Sequence, residues 1–145
     1  MALQVRKANQ RDIPALKDLI NQLGYKTSLD EMKIRFENIS RHLDFLTLLA
    51  EVDHEVVGMI GATKNYSYEY NGIHIQIVAL SVSRAYQNRN IGKVLVSSVE
   101  NWARELGSNR VLVNCGNREE RKIAHLFYAK MGFEANSLGY VKLLE

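Results

Sequence analysis

Residues 80–93, which read LSVSRAYQNRNIGK, decide the fold of this chain of 145 residues. Up to Val82 the sequence has the apolar character of an extended strand. From Ile91 to Leu106 apolar residues instead recur on one face of a helix, and Gly107 ends it. A strand therefore leads through a short polar loop directly into an amphipathic helix.

Upstream of this stretch the sequence predicts three strands joined by turns. Short apolar runs at residues 45–50 and 56–61 flank Asp53 and His54, which is typical of a hairpin. The pair Asn71-Gly72 is a strong turn signal, and it leads into a long extended segment over residues 73–82.

Two helices precede these strands. Asn9 is the expected N-cap of the first, because Asp12 follows three residues later and Pro14 lies in the first turn, and Gly24 ends it. Residues 28–31 form a capping box that begins the second helix, whose apolar stripe we expect to contain Met32, Phe36, Ile39 and Leu43.

Downstream, residues 110–114 predict a short buried strand. Asn117 and Glu120 form a further capping box for a helix that ends at Gly132. Its expected inner face carries Ile123, Phe127 and Met131, and residues 133–144 are expected to close the chain as a pair of strands.

The order of elements predicts a mixed α/β fold in one domain spanning residues 1–145. The antiparallel first half is followed by a strand–helix–strand crossover. Hydrophobic residues at 46% and charged residues at 24% are sufficient for a globular core.

Composition also excludes several classes of protein. A single cysteine excludes a disulfide framework, and four scattered histidines show no metal-ligand spacing, so we expect no metal. No apolar run approaches the ~20 residues of a membrane span, and the first residues lack an apolar signal core, so we expect a cytoplasmic protein without a membrane partner. A net charge of +3 is too small to indicate nucleic acid as a partner.

The loop before the third helix has the chemistry of an anion site. The first amides of a helix have no partner within it, and the helix dipole adds partial positive charge at that end. Asn90 tolerates a left-handed turn, and Gly92 removes a side chain where a ligand would approach the backbone. Residues 70–99 contain no acidic residue, whereas Arg84, Arg89 and Lys93 lie among them. The glycine spacings of Walker and dinucleotide-binding loops are absent.

Four segments together resemble the GNAT superfamily of N-acetyltransferases, in order along essentially the whole chain. Residues 87–92 resemble its Gln/Arg-x-x-Gly-x-Gly/Ala motif for acyl-CoA, with Asn90 at the usual first glycine. Residues 121–133 resemble its Ala-x-x-Phe-Tyr and Gly-Phe pattern. Residues 50–58 resemble its second-strand hairpin, and residues 5–16 its first strand and helix.

This resemblance implies the GNAT fold, with its mixed central sheet and an acyl-CoA-binding core of fourth strand, third helix, fifth strand and fourth helix. It implies acetyl-CoA as co-substrate and a primary amine as acceptor. The diphosphate would lie on the amides of residues 89–93, and a backbone amide near Leu80 would polarise the thioester carbonyl. The residues implied in binding CoA are Leu80, Ser81, Val82, Gln87, Asn88, Arg89, Asn90, Ile91, Gly92, Lys93, Asn117 and Tyr128.

The resemblance also implies an acid, Tyr128, that protonates the departing thiolate. The base is harder to assign, because an alkylamine needs about 4.6 kcal/mol to lose its proton at pH 7. Where relatives often carry a glutamate on the fourth strand, this chain has Val78 or its apolar neighbours. His74 and Glu69 are the candidates, directly or through water, with Tyr68 a weaker one. A relay of water, or an acceptor with a low pKa, is the alternative.

The acceptor is expected to bind between residues 24–42 and the loop 66–70. Three tyrosines and Glu69 in that loop suit a cationic amine. The same aromatic cluster equally suits a contact between two copies of the chain, so a homodimer is an alternative. Two other functions stay open: a non-catalytic acyl-CoA-binding module, and a transferase for a special acceptor such as an aminoglycoside or a protein lysine.

Overall fold

The computed structural model describes residues 2–114 and 121–144. Their contacts divide into two compact units, Met1–Leu112 and Val113–Glu145, and each is described by itself. The helices and strands, in chain order, are β1 Leu3–Lys7, α1 Ile13–Leu23, α2 Leu29–Ser40, β2 Phe45–Val52, β3 Glu55–Tyr66, β4 Ile73–Val82, α3 Ile91–Glu105, β5 Val111–Val113 and α4 Lys122–Lys130. Single 3₁₀ turns precede α1 and follow β4. In the described ranges, no helix is both long and apolar enough to cross a membrane.

The strands form one sheet in the order β1-β2-β3-β4-β5, and β1 to β4 pair antiparallel. Asp53 and His54 have φ values of 51° and 69°, which is the backbone of a two-residue hairpin turn whose twist matches that of the strands. The predicted hairpin is confirmed. The chain also reverses direction near Asn71-Gly72, but through the loop 67–72 between β3 and β4, in which Gly72 has φ of 77°. The connection through α3 brings β5 next to β4, so the mixed α/β fold is confirmed as well.

The predicted caps form as hydrogen-bonded pairs. Asn9 and Asp12 make a reciprocal capping box, although it opens a 3₁₀ turn that continues into α1. Ser28 and Glu31 make a second box at the start of α2. The prediction for Leu43 is wrong, since α2 ends at Ser40 and the Leu43 side chain is 95% exposed. The chain turns there, because the amide of Phe45 donates to the carbonyl of His42 and starts β2.

Both faces of the sheet are covered in the first unit. A buried cluster joins α1 and α2 to β2 and β3 through Ile13, Leu16, Leu19, Met32, Phe36, Leu49 and Met59. On α3 the fully buried side chains are Ile91, Leu95, Val96 and Val99. A Cβ added to Gly58 would meet Ile91 and Leu95 at 3.3 Å, so β3 and α3 approach each other closely there. Burying one such aliphatic side chain contributes about 1.5–3 kcal/mol.

The second unit contains α4, and its packing differs from the sequence prediction. Tyr128 is the buried residue of this helix, whereas Ile123 is 82% exposed. The reason is local: the chain turns at Gly132 and returns Phe133 to Tyr128, so the buried face contains Tyr128. No strand forms within residues 133–144, so the predicted closing pair is also wrong. Most large apolar side chains there, such as Leu138 and Val141, are exposed, so a hairpin in this segment would have no surface to pack against. Asn117 and Glu120 lie outside the described residues.

Candidate functional site

The loop between β4 and α3 contains two residues in left-handed backbone. Asn88 and Asn90 both have φ of 64°, and Asn90 is the N-cap of α3. The left-handed conformation predicted for Asn90 is therefore confirmed. Asparagine adopts it more easily than other residues with a Cβ, because its short amide can bond locally. Where left-handed residues lie next to the first residue of a helix, successive N–H groups point towards one place. This is the geometry of an anion site.

In the described part of the chain, the first three amides of α3 donate to no other group. The helix has no side-chain cap among the described residues, and its hydrogen bonding starts with the amide of Val94, which donates to the Asn90 carbonyl at 3.0 Å. The amides of Ile91, Gly92 and Lys93 precede that bond. A helix of this length, Ile91–Glu105, also has a dipole that favours negative charge at this end. An anion placed here would accept several N–H bonds at once.

The polar side chains of the loop are exposed around these amides. Gln87, Asn88, Arg89 and Lys93 all lie at the surface. The guanidinium carbon of Arg89 lies 5.1 Å from the centre of the Tyr86 ring, which limits the positions this cation can take. Gln87 Nε2 donates to the Val82 carbonyl at 3.2 Å, so this side chain is used to hold the loop against the end of β4.

Two long-range contacts hold the loop in place, and neither was predicted from the sequence. The amide of Arg84 donates to Gln22 Oε1 of α1 at 3.0 Å. The Tyr86 hydroxyl donates to Glu55 Oε2 at 3.2 Å, and the nearby Glu55 charge raises the pKa of that phenol. Since the partners are 62 and 31 positions apart, no local pattern could have indicated them.

A bulge interrupts β4 at Val78. In the register with β3, Gly61 lies opposite Ala79 and Ala62 lies opposite Ile77, so Val78 has no partner. Its side chain is half exposed, and a Cβ on Gly61 would lie 3.5 Å from Val78 Cγ2. A bulge leaves an extra residue unpaired and re-aims the strand. The irregular backbone at Val78 lies two residues before Leu80, which pairs regularly with Ile60 and near which the family resemblance implies the thioester contact.

The residues predicted along β4 differ in exposure. Leu80 and Val82 are half buried, whereas Ser81 is buried. The Ser81 hydroxyl donates to the Leu19 carbonyl of α1 at 2.8 Å. This side chain ties β4 to α1, so only the backbone of Ser81 could meet a ligand.

The two candidate bases are not brought to Leu80. His74 lies at the start of β4, opposite Asn65, and six residues of strand at ~3.3 Å each put it about 20 Å from Leu80. Glu69 lies earlier still, with its side chain exposed in the turn between β3 and β4. Tyr66 at the end of β3 and Tyr68 in the turn are exposed as well.

In the second unit, Tyr128 is held by aromatic neighbours. Its ring packs edge-on against Phe127 at 5.3 Å and against Phe133 at 5.6 Å, measured between ring centres. The side chain is 8% exposed. Phe127 and Tyr128 of α4 thus form a packed aromatic cluster with Phe133, which follows the helix.

Comparison with known proteins identifies related chains. The model of the Acetyltransferase (GNAT) family matches residues 13–133. The chain is 27% identical over 125 residues to the uncharacterized N-acetyltransferase YhdJ of Bacillus subtilis (strain 168), across 86% of this chain and 83% of that protein. A GNAT family acetyltransferase from Staphylococcus aureus is 26% identical with a TM-score of 0.83, across 99% of this chain and all of that one. The aminoglycoside N-acetyltransferase AAC(6')-Iy in complex with CoA shares the fold, with a TM-score of 0.82 at 18% identity, across 97% of this chain and 95% of that one.

Proposed function

This chain belongs to the GNAT family of acetyltransferases, and we propose that it transfers the acetyl group of acetyl-CoA to a primary amine of a small molecule or protein. The amine attacks the thioester directly, with both substrates bound at once. The observation that carries the proposal is the open start of α3, where Asn88 and Asn90 are left-handed and three amides precede the first helical hydrogen bond.

The diphosphate of CoA is proposed to accept N–H bonds from Ile91, Gly92 and Lys93. Arg89 and Lys93 add positive charge near the diphosphate, and because both side chains are exposed, pairing them with it carries no large desolvation cost. Gln87 and Asn88 flank the diphosphate. No residue of the segment 70–99 is acidic, and Glu55 of β3 is a carboxylate that contacts the loop through the Tyr86 hydroxyl. A related acetyltransferase structure with CoA supports this cofactor for the family fold.

The bulge at Val78 supports a role for the β4 backbone in catalysis. An amide freed from the ladder can donate to the thioester oxygen, where negative charge develops as the amine attacks. One such donor is typically worth about 10²–10³ in rate. The pantetheine arm is proposed to lie along Leu80 and Val82.

Proton transfers complete the reaction. The amine nitrogen bonds to the carbonyl carbon, and the carbon–sulfur bond then breaks. Tyr128 is proposed to give its phenolic proton to the departing thiolate, while the proton lost by the amine passes to water. Water is the proposed acceptor because His74 and Glu69 lie away from Leu80 along the chain, and Val78 offers no base. The products are an N-acetyl amine and free CoA.

Steady-state kinetics with acetyl-CoA and a panel of amines tests this function. Thiol release should need both substrates, and double-reciprocal plots should intersect, as they do when both substrates bind before reaction. Parallel lines would indicate an acyl-enzyme and overturn direct attack. The matched variants are Gly92→Glu in the first turn of α3 and Asn101→Glu on its exposed face, which change the charge by the same amount, and only the first should lose CoA binding.

A second candidate is a non-catalytic acyl-CoA-binding module. The apolar Val78 favours it, because relatives often have a carboxylate on this strand. The same assay separates the two, since a binding module would take up CoA saturably and release no thiol with any amine.

A further inference from the structure

A polar cavity lies in the first unit, outside the loop of residues 83–93. Its volume is about 240 Å³, below the ~300–1,000 Å³ of pockets for drug-sized ligands, so it suits a small molecule or ion. It forms where the turn before β4 meets the residues before β5. Its lining residues are Tyr70, Asn71, Gly72, Ile73, His74, Asn109 and Arg110.

The backbone of Arg110 is fixed. Its carbonyl accepts a hydrogen bond from the Ile75 amide of β4 at 3.0 Å. Its amide donates to Ser108 Oγ at 3.3 Å, and that hydroxyl is in a buried residue. These two hydrogen bonds hold the backbone of this positively charged residue in a fixed position beside the cavity.

The Arg110 side chain stacks on Tyr70. The guanidinium carbon lies 3.5 Å from the centre of the Tyr70 ring. Stacking occupies the flat face of a guanidinium and leaves its N–H donors at the edges, where they match the paired oxygens of a carboxylate or phosphate. The aromatic contact therefore orients Arg110 and leaves its hydrogen-bonding edge for a ligand.

The charge of this cavity is unbalanced. Arg110 is half buried and carries the permanent positive charge of a guanidinium. Within residues 2–114 and 121–144 it makes no ion pair. None of the lining residues is acidic. His74, Asn71 and Asn109 add side chains that carry N–H donors. Among the described residues, this half-buried cation therefore has no carboxylate partner.

We propose that this cavity binds a small oxyanion, a carboxylate or phosphate group, with Arg110 as its main ligand. Tyr70 orients the guanidinium, and His74, Asn71 and Asn109 donate to the remaining oxygens. The site is separate from the CoA loop, since His74 lies six positions before Leu80 on β4, or about 20 Å away at ~3.3 Å per residue. It does not depend on the proposed transferase function.

Residue-resolved titration tests the site. Sodium phosphate and sodium succinate are added to the ¹⁵N-labelled full chain at constant ionic strength, and amide shifts are followed by NMR. Saturable shifts should occur at residues 71–74 and 109–110 with at least one of these anions, and the two probes distinguish phosphate from carboxylate preference. Shifts confined to residues 87–93, or no saturation, would overturn the proposal.

Variants of matched charge complete the test. Arg110→Gln should weaken anion affinity at this cavity about tenfold or more, and Arg110→Lys should weaken it less, because the point charge stays while the paired donors are lost. Asn109→Asp should also weaken it by adding a competing carboxylate. Arg104→Gln, with the same charge change on α3, should have no effect. Equal affinity in wild type and Arg110→Gln would refute the assignment, and unchanged CoA binding in all four variants would separate this result from the CoA site.

Discussion

The left-handed backbone at Asn90 makes a quantitative prediction about CoA binding. Asn90→Gly keeps this conformation accessible, whereas Asn90→Val places a β-branched side chain at φ 64°. Such a residue is strongly disfavoured there, because its Cβ approaches the following carbonyl oxygen. The valine variant should therefore lose the arrangement of amides that an anion needs, and the glycine variant should keep it.

The expected size follows from that steric cost. A left-handed L-residue costs roughly 1–2 kcal/mol. If the loop relaxes in the free protein, the whole steric cost reduces the free energy of CoA binding, and the Kd for CoA rises about 5- to 30-fold. If Ile91, which is 1% exposed, holds the loop in place, the penalty instead lowers the free energy of unfolding. The two losses together should come to about 1–2 kcal/mol.

Calorimetric titration with CoA and urea denaturation measure the two losses separately. Asn101→Val is the matched control, since Asn101 is exposed in the regular part of α3 and the two residues have similar helix propensity. It should change the CoA Kd by less than about twofold. An Asn90→Val variant with wild-type affinity and wild-type stability would refute the role assigned to the left-handed turn.

Three further predictions concern separate parts of the chain. Tyr128→Phe should lower kcat by up to ~10²–10⁴-fold with the Kd for CoA nearly unchanged; full activity across the pH range would show that another group protonates the thiolate. Gly92→Glu should abolish CoA uptake in a thermal-shift titration, because a carboxylate would stand where the diphosphate binds, and retained uptake would place CoA elsewhere. Asp12→Asn should lower the free energy of unfolding by about 2 kcal/mol, since it removes a paired contact with Arg6 at 2.8 Å. The hydrogen bond from Arg6 lowers the pKa of Asp12. The stability difference between wild type and Asp12→Asn should therefore be full above about pH 4 and shrink as the pH falls below it. A stability difference independent of pH would exclude this ion pair as the cause.

Features that depend on neighbouring residues were predictable from the sequence. The capping box of Ser28 and Glu31 and the hairpin turn at Asp53 and His54 each join groups a few positions apart. The polar loop before Ile91 was predictable for the same reason, because a strand pattern, a left-handed asparagine and a helical stripe follow one another directly. Errors arose where a helical stripe was extended past its real end, as at Leu43.

The positions of distant groups needed the tertiary structure. The bulge at Val78 depends on the register between β3 and β4, which no property of β4 alone specifies. The distance of His74 from Leu80 is a consequence of both residues lying on one continuous strand. The contact of Arg110 with Tyr70 joins residues that a helix and a strand separate.

By itself the amino-acid sequence determined the family, the order of most helices and strands, and the position of the polar loop that we propose as the diphosphate site. These follow from local backbone preferences and from the spacing of apolar residues, which act over a few positions. Only the tertiary structure decided which strand residue is left unpaired, which side chains hold the loop, and that Arg110 lies beside a cavity with no ion pair to any described residue. Such facts depend on how the chain brings distant residues together, and contacts across 31 or 62 positions have no signature in the local sequence.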